Sequence, residues 1–507
     1  MKRCKRMISL TMAMLILLLS VSSCSQNSAE DIASENSLSE NTDIASAETA
    51  GDLAETEAEK DPFEGLESKD LGGLTFTFLT SNWPGEAVWT VDDISAEEYT
   101  GATINDAVYA RNLKVEDRLQ CTVAEDNLAS SADANTALAN TVTSGDNAYQ
   151  VWVPRFHEYL NAAAKGYVTD LNNVDGIDFT RDAWVENSIE GLSFLGYSFT
   201  ACNEMITIHK EAVSSIIFNK DLAEQYQFED LYDVVKEGRW TLDYFSSKVE
   251  ETSADIDGDG AMTENDRYGF FYQRDTLDAL LAAGGGALCE KDENDKPVYT
   301  FDTEKVINIL TLSTDLMYNQ NICYNVMNAP GDFNEWMTNQ FMENDAMFMW
   351  VRNVNIPQLR TMENDFGVLP IPKFDDTIDE YYSVVNSYTG AGISVPVLSD
   401  SAYIDSVGLF IETMGAASMN TLCNAYYDVM LNGIVVRDAE SQSMLDIIYS
   451  NTTYDCGAIG YYGNISDYIY MVMSYNSDFA SYSAKNKKLV TKSIDRMVEK
   501  VEENYKK

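Results

Sequence analysis

The chain has 507 residues, 82 of them acidic and 34 basic, for a formal charge of −48. That balance excludes a nucleic-acid partner, because displacing phosphate counterions takes a basic footprint. A hydrophobic fraction of 45% supplies a large core, while two histidines, His157 and His209, argue against a histidine-rich metal centre or a histidine-based triad.

The chain opens with Lys2, Arg3, Lys5 and Arg6, then an apolar run from Met7 through Leu19, then Val21-Ser22-Ser23-Cys24. A basic stretch, a short apolar stretch and small residues before the cut predict a secretory signal over residues 1–23. The position of Cys24 resembles a bacterial lipobox, in which the cysteine is acylated, palmitate being one such chain, and becomes the new N-terminus. The bland alternative is an ordinary signal peptide with an incidental cysteine, or an anchor, although the apolar run is short for a span. Residues 24–70 are rich in Ser, Ala, Asn, Asp and Glu. Too little apolar surface is available there to offset the entropy of ordering, so an acidic, disordered tether is expected.

Beyond the tether, Leu74-Thr75-Phe76-Thr77-Phe78-Leu79 alternates like a strand and runs into Ser81-Asn82-Trp83-Pro84-Gly85, a turn with an aromatic at its tip. Ile104, Ala107, Val108, Leu113, Val115 and Leu119 keep a helical spacing from Thr103 onward. Residues 149–153 form a second strand pattern ending at Pro154-Arg155, and a helix is expected from Tyr159 to Ala164, stopped at Gly166. Residues 214–219 repeat the strand pattern. Thr241 is placed as the N-cap of a helix carrying Tyr244, Phe245 and Val249, with Trp240 packing structurally at its start. Asp302 is expected to cap a helix bearing Val306, Ile309, Leu310 and Leu316, and residues 347–352 read as a strand through Trp350. Short strands alternating with helices predict an α/β fold with parallel sheets covered on both faces.

Cys121, Cys202, Cys289, Cys323, Cys423 and Cys456 remain once Cys4 and Cys24 are set aside. An exported chain permits disulfides, and Cys289–Cys323 and Cys423–Cys456 are the pairings to test.

The order of Ile217-Phe218-Asn219-Lys220-Asp221-Leu222, Gly238-Arg239-Trp240-Thr241, Tyr268-Gly269-Phe270 and Phe366-Gly367-Val368-Leu369-Pro370-Ile371-Pro372-Lys373, together with the lipobox, resembles the family 1 extracellular solute-binding proteins of ABC importers, similar in architecture to maltose-binding protein. The resemblance covers about residues 70–470. It implies a two-lobe, type II periplasmic-binding-protein-like fold with ligand in the cleft. Lobe 1 would comprise 71–207 plus about 394–435, and lobe 2 would comprise 214–386 plus about 436–507. The crossings would lie near 208–213 and 388–393, the second with glycines that absorb rotation as a hinge closes. The implied protein is a monomeric, lipid-anchored receptor on the outer face of the cell membrane. It would capture a mono- or oligosaccharide and hand it to an ABC permease whose partner chains hydrolyse ATP.

Ligand contacts are expected from loops at strand C-terminal ends. Trp83, Arg155, Trp184, Trp350, Arg352 and Tyr388 are the candidates, flat aromatic faces and planar guanidinium forks being suited to sugars; each has a plain packing role as its alternative. Asp255, Asp257 and Asp259, with Gly260 after them and Asp266 at position 12, have the spacing of an EF-hand-type loop, and Ala261 offers a carbonyl at position 7. A structural Ca2+ is expected, the alternative being an acidic surface turn. Position 12 is Asp where an EF-hand has Glu, which shortens its reach. No nucleophile elbow, HExxH or phosphate loop is present, and Gly284-Gly285-Gly286 lacks a neighbouring lysine. The reading is therefore a binding protein, with a surface glycoside hydrolase or a calcium-stabilised adhesin as alternatives.

Overall fold

The computed structural model describes residues 61–82, 91–431 and 439–506, all within the unit Lys60–Lys507. The residues of the signal, Cys24 and most of the tether, as well as Trp83, lie outside the described residues. No helix among the described residues is long and apolar enough to cross a membrane.

Two sheets organise the chain. The first contains β1 (Thr75–Ser81), β2 (Thr122–Leu128) and β3 (Val151–Trp152), in the order β2-β1-β3 and all parallel. The alternation at 74–79 produces β1 because Phe76 and Phe78 share one face and are fully buried there, Phe76 stacking on Phe410 at 4.1 Å. The helix Thr103–Leu119 begins and ends where its apolar spacing does, although Leu113 faces solvent. Strand β2 has no apolar alternation to announce it. It is a half-exposed edge strand whose Glu125 accepts hydrogen bonds from the Thr80 hydroxyl (2.6 Å) and the Ser95 hydroxyl (2.8 Å).

The second sheet is mixed. Its strands are β4 (Ser214–Asn219), β5 (Tyr268–Tyr272), β8 (Cys323–Asn325), β9 (Ala346–Arg352) and β10 (Phe366–Leu369), in the order β10-β4-β9-β5-β8. Here β4 runs antiparallel to both β10 and β9, whereas β9-β5 and β5-β8 are parallel. Successive residues of β5 serve opposite faces. Phe270 meets Phe245 at 5.0 Å on the side of the helix Leu242–Thr252, and Phe271 meets Trp336 of the helix Phe333–Met342 at 5.4 Å on the other. Thr241 caps its helix by accepting from the Tyr244 N–H, and Trp240 is fully buried with its indole donating to the Pro370 carbonyl at 2.9 Å. Two small pairs complete the strands: the hairpin β6 (Cys289–Lys291) with β7 (Pro297–Tyr299), and β11 (Ser383–Val384) parallel to β12 (Thr452–Thr453).

Two details depart from the sequence reading, and a third adds to it. Asp302 is not the cap of its helix: Thr303 is, accepting from the Val306 N–H at 3.3 Å, while the Asp302 carboxylate pairs with Lys487. All six cysteines among the described residues are free and buried. Cys456 lies beside Cys289, its thiol donating to the Cys289 carbonyl at 3.1 Å, so neither Cys289–Cys323 nor Cys423–Cys456 is a bond here. Gly390 and Gly392 are also needed for space. Neither has a positive φ, and a Cβ would stand 2.5 Å from the Phe156 ring at Gly390 and 2.6 Å from the Thr200 hydroxyl at Gly392.

Several segments connect the two sheets. Trp152, Arg155 and Ala201 bridge to Ser394, Ala391 and Ile393, and Val213 bridges to Val385, so the stretch 385–394 runs from the flank of β4 to the flank of β3. The hairpin loop reaches the same side, with the Leu195 N–H donating to the Asp295 carbonyl at 3.0 Å. The helix Phe479–Tyr505 starts against Tyr468 and ends against Phe199, where the Tyr505 hydroxyl donates to the Val168 carbonyl.

Candidate functional site

A cavity of about 1120 Å³ opens beside the second sheet. The helix Thr276–Ala283 follows β5 and the 3-10 turn Asn353–Thr361 follows β9, so both bring the C-terminal ends of parallel strands to the wall. This is where open α/β sheets place their crevices. The helix Phe333–Met342, the 3-10 segment Tyr462–Ser474 and the connecting stretch through Asn386 and Tyr388 close the remaining sides.

Of the expected ligand contacts, Arg352 and Tyr388 stand on this wall. Arg352 ends β9, and its guanidinium pairs with Asp275 and lies 5.5 Å from the Trp350 ring centre. Tyr388 packs at 4.7 Å against His157 and edge-on to Tyr461. The other described candidates are elsewhere. Trp350 is 0% exposed, within β9 and behind Arg352; its indole N–H has no partner among the described residues. Trp184 is 5% exposed and donates to the Glu412 carboxylate at 2.8 Å, a buried contact that locks it in the core around the helix Val407–Met419. Arg155 is 1% exposed. Its guanidinium donates to the Thr389 carbonyl at 2.6 Å and thereby holds the connecting stretch against β3. The signals that flagged these residues, a strand-end arginine or a position where the resemblance implies an aromatic in the cleft, do not distinguish a side chain on the wall from one beneath it.

The wall also carries residues with no signal in the sequence. Asp275 and Asp278 sit at the start of the helix Thr276–Ala283, where an acidic residue reads as an ordinary helix-terminus preference. Arg274 donates to Asp275 at 3.1 Å and covers the ring of Tyr470 at 4.7 Å. Asp455 caps the helix Cys456–Gly460 and accepts from the N–H groups of Leu288 (2.7 Å), Gly457 (2.7 Å) and Ala458 (3.3 Å). Burial raises the Asp455 carboxyl, these N–H groups opposing it. Burial first, then Asp275 and Asp455 nearby, push Asp278 up to about 7, against the Tyr468 hydroxyl and Arg352, which favour its ionised form. The wall thus offers aromatic faces, planar donors and acceptors of hydrogen bonds, a set that can orient a polar solute.

Apart from the cavity, Asp255, Asp257 and Asp259 are exposed, and each offers a carboxylate oxygen within 4.8 Å of the others. Gly258 and Gly260 take the positive φ values, +73° and +87°, that turn the loop inward. Hard oxygens at this separation fit Ca2+. Asp266 does not join them. Its two oxygens accept from the backbone N–H groups of Ile256 (2.9 Å) and Thr263 (2.8 Å) and close the loop from within. Burial alone would raise its carboxyl, but those N–H groups outweigh it and hold it below the usual range.

No protein-family model matches the sequence, and no curated protein matches it. Solved structures do. A glycerophosphocholine-bound protein from Mycobacterium tuberculosis, UgpB, superposes with a TM-score of 0.52 at 14% identity, over 84% of this chain and 99% of that one. An ABC substrate-binding protein from Listeria monocytogenes in complex with cycloalternan gives 0.50 at 13% identity, over 84% and 98%. A family 1 extracellular solute-binding protein from Bifidobacterium longum subsp. infantis gives 0.50 at 13%, over 84% and 100%. The chain therefore has the mixed α/β, two-lobe fold of the extracellular solute-binding proteins of ABC transporters.

Proposed function

We propose that this protein is the lipid-anchored, extracellular solute-binding component of an ABC importer, and that it captures a mono- or oligosaccharide and delivers it to the permease. The observation that carries this reading is the cavity of about 1120 Å³ at the strand C-terminal ends of a fold used by such receptors, with Tyr388, Tyr470 and Arg352 on its wall. Tyrosine faces pack on the C–H surfaces of a sugar ring, and the polar groups between them fix its hydroxyls. Capture needs no chemistry: a ligand that touches both lobes only in the closed form shifts the hinge equilibrium by its extra affinity for that form. ATP hydrolysis belongs to the partner chains. Lipid on Cys24 and the acidic tether would hold the folded unit clear of an anionic membrane, and Ca2+ in the loop carrying Asp255, Asp257 and Asp259 would stiffen the second lobe.

The test is a thermal-shift screen of the protein against sugars, oligosaccharides, amino acids and peptides, with small-angle scattering on any ligand that stabilises it. A sugar that raises Tm, contracts the particle and is recovered intact supports the receptor. Recovery of a cleaved sugar replaces it with a hydrolase, and absence of any ligand response removes it. Growth with labelled palmitate completes the test, since Cys24→Ser should abolish labelling.

A further inference from the structure

Asp275, Asp278 and Asp455 stand on the cavity wall close enough to feel one another's charge. Asp275 is compensated twice, by Arg352 and by Arg274. Asp278 accepts the Tyr468 hydroxyl at 2.5 Å and feels the Arg352 charge only without a direct ion pair, since among the described residues no cationic side chain bonds to it. Asp455 takes backbone N–H groups alone. Asp467, further along the wall, accepts the Tyr461 hydroxyl at 2.6 Å and likewise pairs with no cation among the described residues. Lys305, the other cation lining the cavity among the described residues, donates to the Gly285 carbonyl and its charge favours the Asp375 carboxylate. Acidic groups therefore outnumber the cations paired with them in a partly desolvated place, an arrangement that costs stability unless a proton or another positive group compensates it.

An independent observation points to the same place. Ser466 lines the cavity beside Asp467 and is 6% exposed, yet its hydroxyl has no hydrogen-bond partner among the described residues. A buried hydroxyl without a partner is destabilising, and its place on the wall leaves a bound solute to supply one. Nearby, the Tyr470 ring is 52% exposed and already carries the Arg274 guanidinium over its face, so this part of the wall accepts positive charge through its aromatic surface as well.

We propose that the solute is an amino sugar or an oligosaccharide bearing a protonated amine, held by the uncompensated carboxylates of this wall with Asp278 as the principal counter-charge. This rests on the receptor reading above and adds the charge of the solute to it. A primary ammonium brings donors for the carboxylates and for the Ser466 oxygen, which a quaternary ammonium lacks, and its charge keeps Asp278 ionised against the neighbouring Asp275 and Asp455. A neutral sugar leaves those carboxylates uncompensated; an acidic one is repelled.

Isothermal titration of the full chain decides the matter, with glucosamine oligomers, the N-acetylated oligomers and the unsubstituted glucose oligomers of the same linkage and length as probes at neutral pH. The aminated series is expected to bind tighter than either counterpart by roughly tenfold or more, the scale on which removal of one partner of a desolvated charge pair is felt. Asp278→Asn should shrink that preference by about the same factor, whereas Asp243→Asn, an equal change of net charge on an exposed helix face, should leave it. If Asp278→Asn does not fold, Ser466→Ala and the wild-type preference itself carry the test. Neutral or N-acetylated oligomers that bind as tightly as the aminated ones, with the same contraction in scattering, overturn the amine and keep the receptor. Absence of binding across all three series overturns the amine, and absence of response to any solute in the wider screen overturns the receptor as well.

Discussion

The loop around Asp257 and the cavity wall around Asp278 are both built on aspartates, and they differ in what surrounds the carboxylates. In the loop, Asp255, Asp257 and Asp259 are exposed, their oxygens gathered within 4.8 Å of one another, and solvent screens their repulsion. On the wall, Asp278 is half-buried beside Asp275 and Asp455, and its carboxyl rises to about 7. The same side chain is cheap to keep ionised in one place and costly to keep ionised in the other, because desolvation rather than acid count sets the cost.

The comparison is most easily broken at Asp455. Replacing it with Ala strands the N–H groups of Leu288, Gly457 and Ala458 and removes a helix cap, which should cost on the order of 2–3 kcal/mol in urea unfolding, with Asn milder. An unchanged midpoint in the Ala variant would show that the buried carboxylate does no structural work.

A second test uses pH. The folded Asp278 carboxyl sits near 7 against an ordinary 3.8, so between those values the folded state keeps a proton that the unfolded chain has lost. Stability from this group is therefore fully present below about 4 and is lost as pH rises toward 7, by at least about 1 kcal/mol. Asp278→Asn should flatten that part of the wild-type stability–pH curve; a curve of the same slope in the variant would place the buried charge elsewhere.

The smallest effect belongs to the loop. Calcium at ten times its dissociation constant should stabilise the fold by roughly 1.4 kcal/mol, seen as a rise in Tm reversed by chelator. Asp257→Ala should abolish that rise and leave the calcium-free Tm unchanged, since an exposed carboxylate loses no buried contact. A calcium-independent Tm in the wild type would reduce the loop to an acidic turn.

Much of the architecture was legible because it is written in local pattern. The alternation of Phe76 and Phe78, the all-buried run of β4, the Thr241 cap and the helical spacing after Thr103 each place a residue by a period of two or of 3.6, and the elements follow. Strand β2 escaped because an edge strand rich in Glu, Asp and Asn satisfies its side chains by hydrogen bonds rather than by burial. The Asp302 cap was displaced by one residue because Thr303, the better placed oxygen, reaches the Val306 N–H.

The site was legible only in part. Arg352 and Tyr388 reach the cavity, but Arg155, Trp184 and Trp350 are buried in packing contacts, where a strand-end tryptophan or arginine serves as core. In the other direction, Asp278, Ser466 and Tyr470 gave no warning, since a first-turn aspartate, a serine and one tyrosine among 29 are unremarkable in sequence.

What the sequence by itself determined is the set of local decisions: where helices begin, which faces are apolar, which aspartates share a loop. Those depend on neighbours a few positions away, and the pattern carries them. The packing of the second sheet decided the rest, including which of two nearby residues, Trp350 or Arg352, shows itself to solvent and which carboxylates lose their water. Those outcomes depend on elements distant in the chain, such as Tyr468 against Asp278 and Thr389 against Arg155, and desolvation is a property of the assembled wall rather than of any segment.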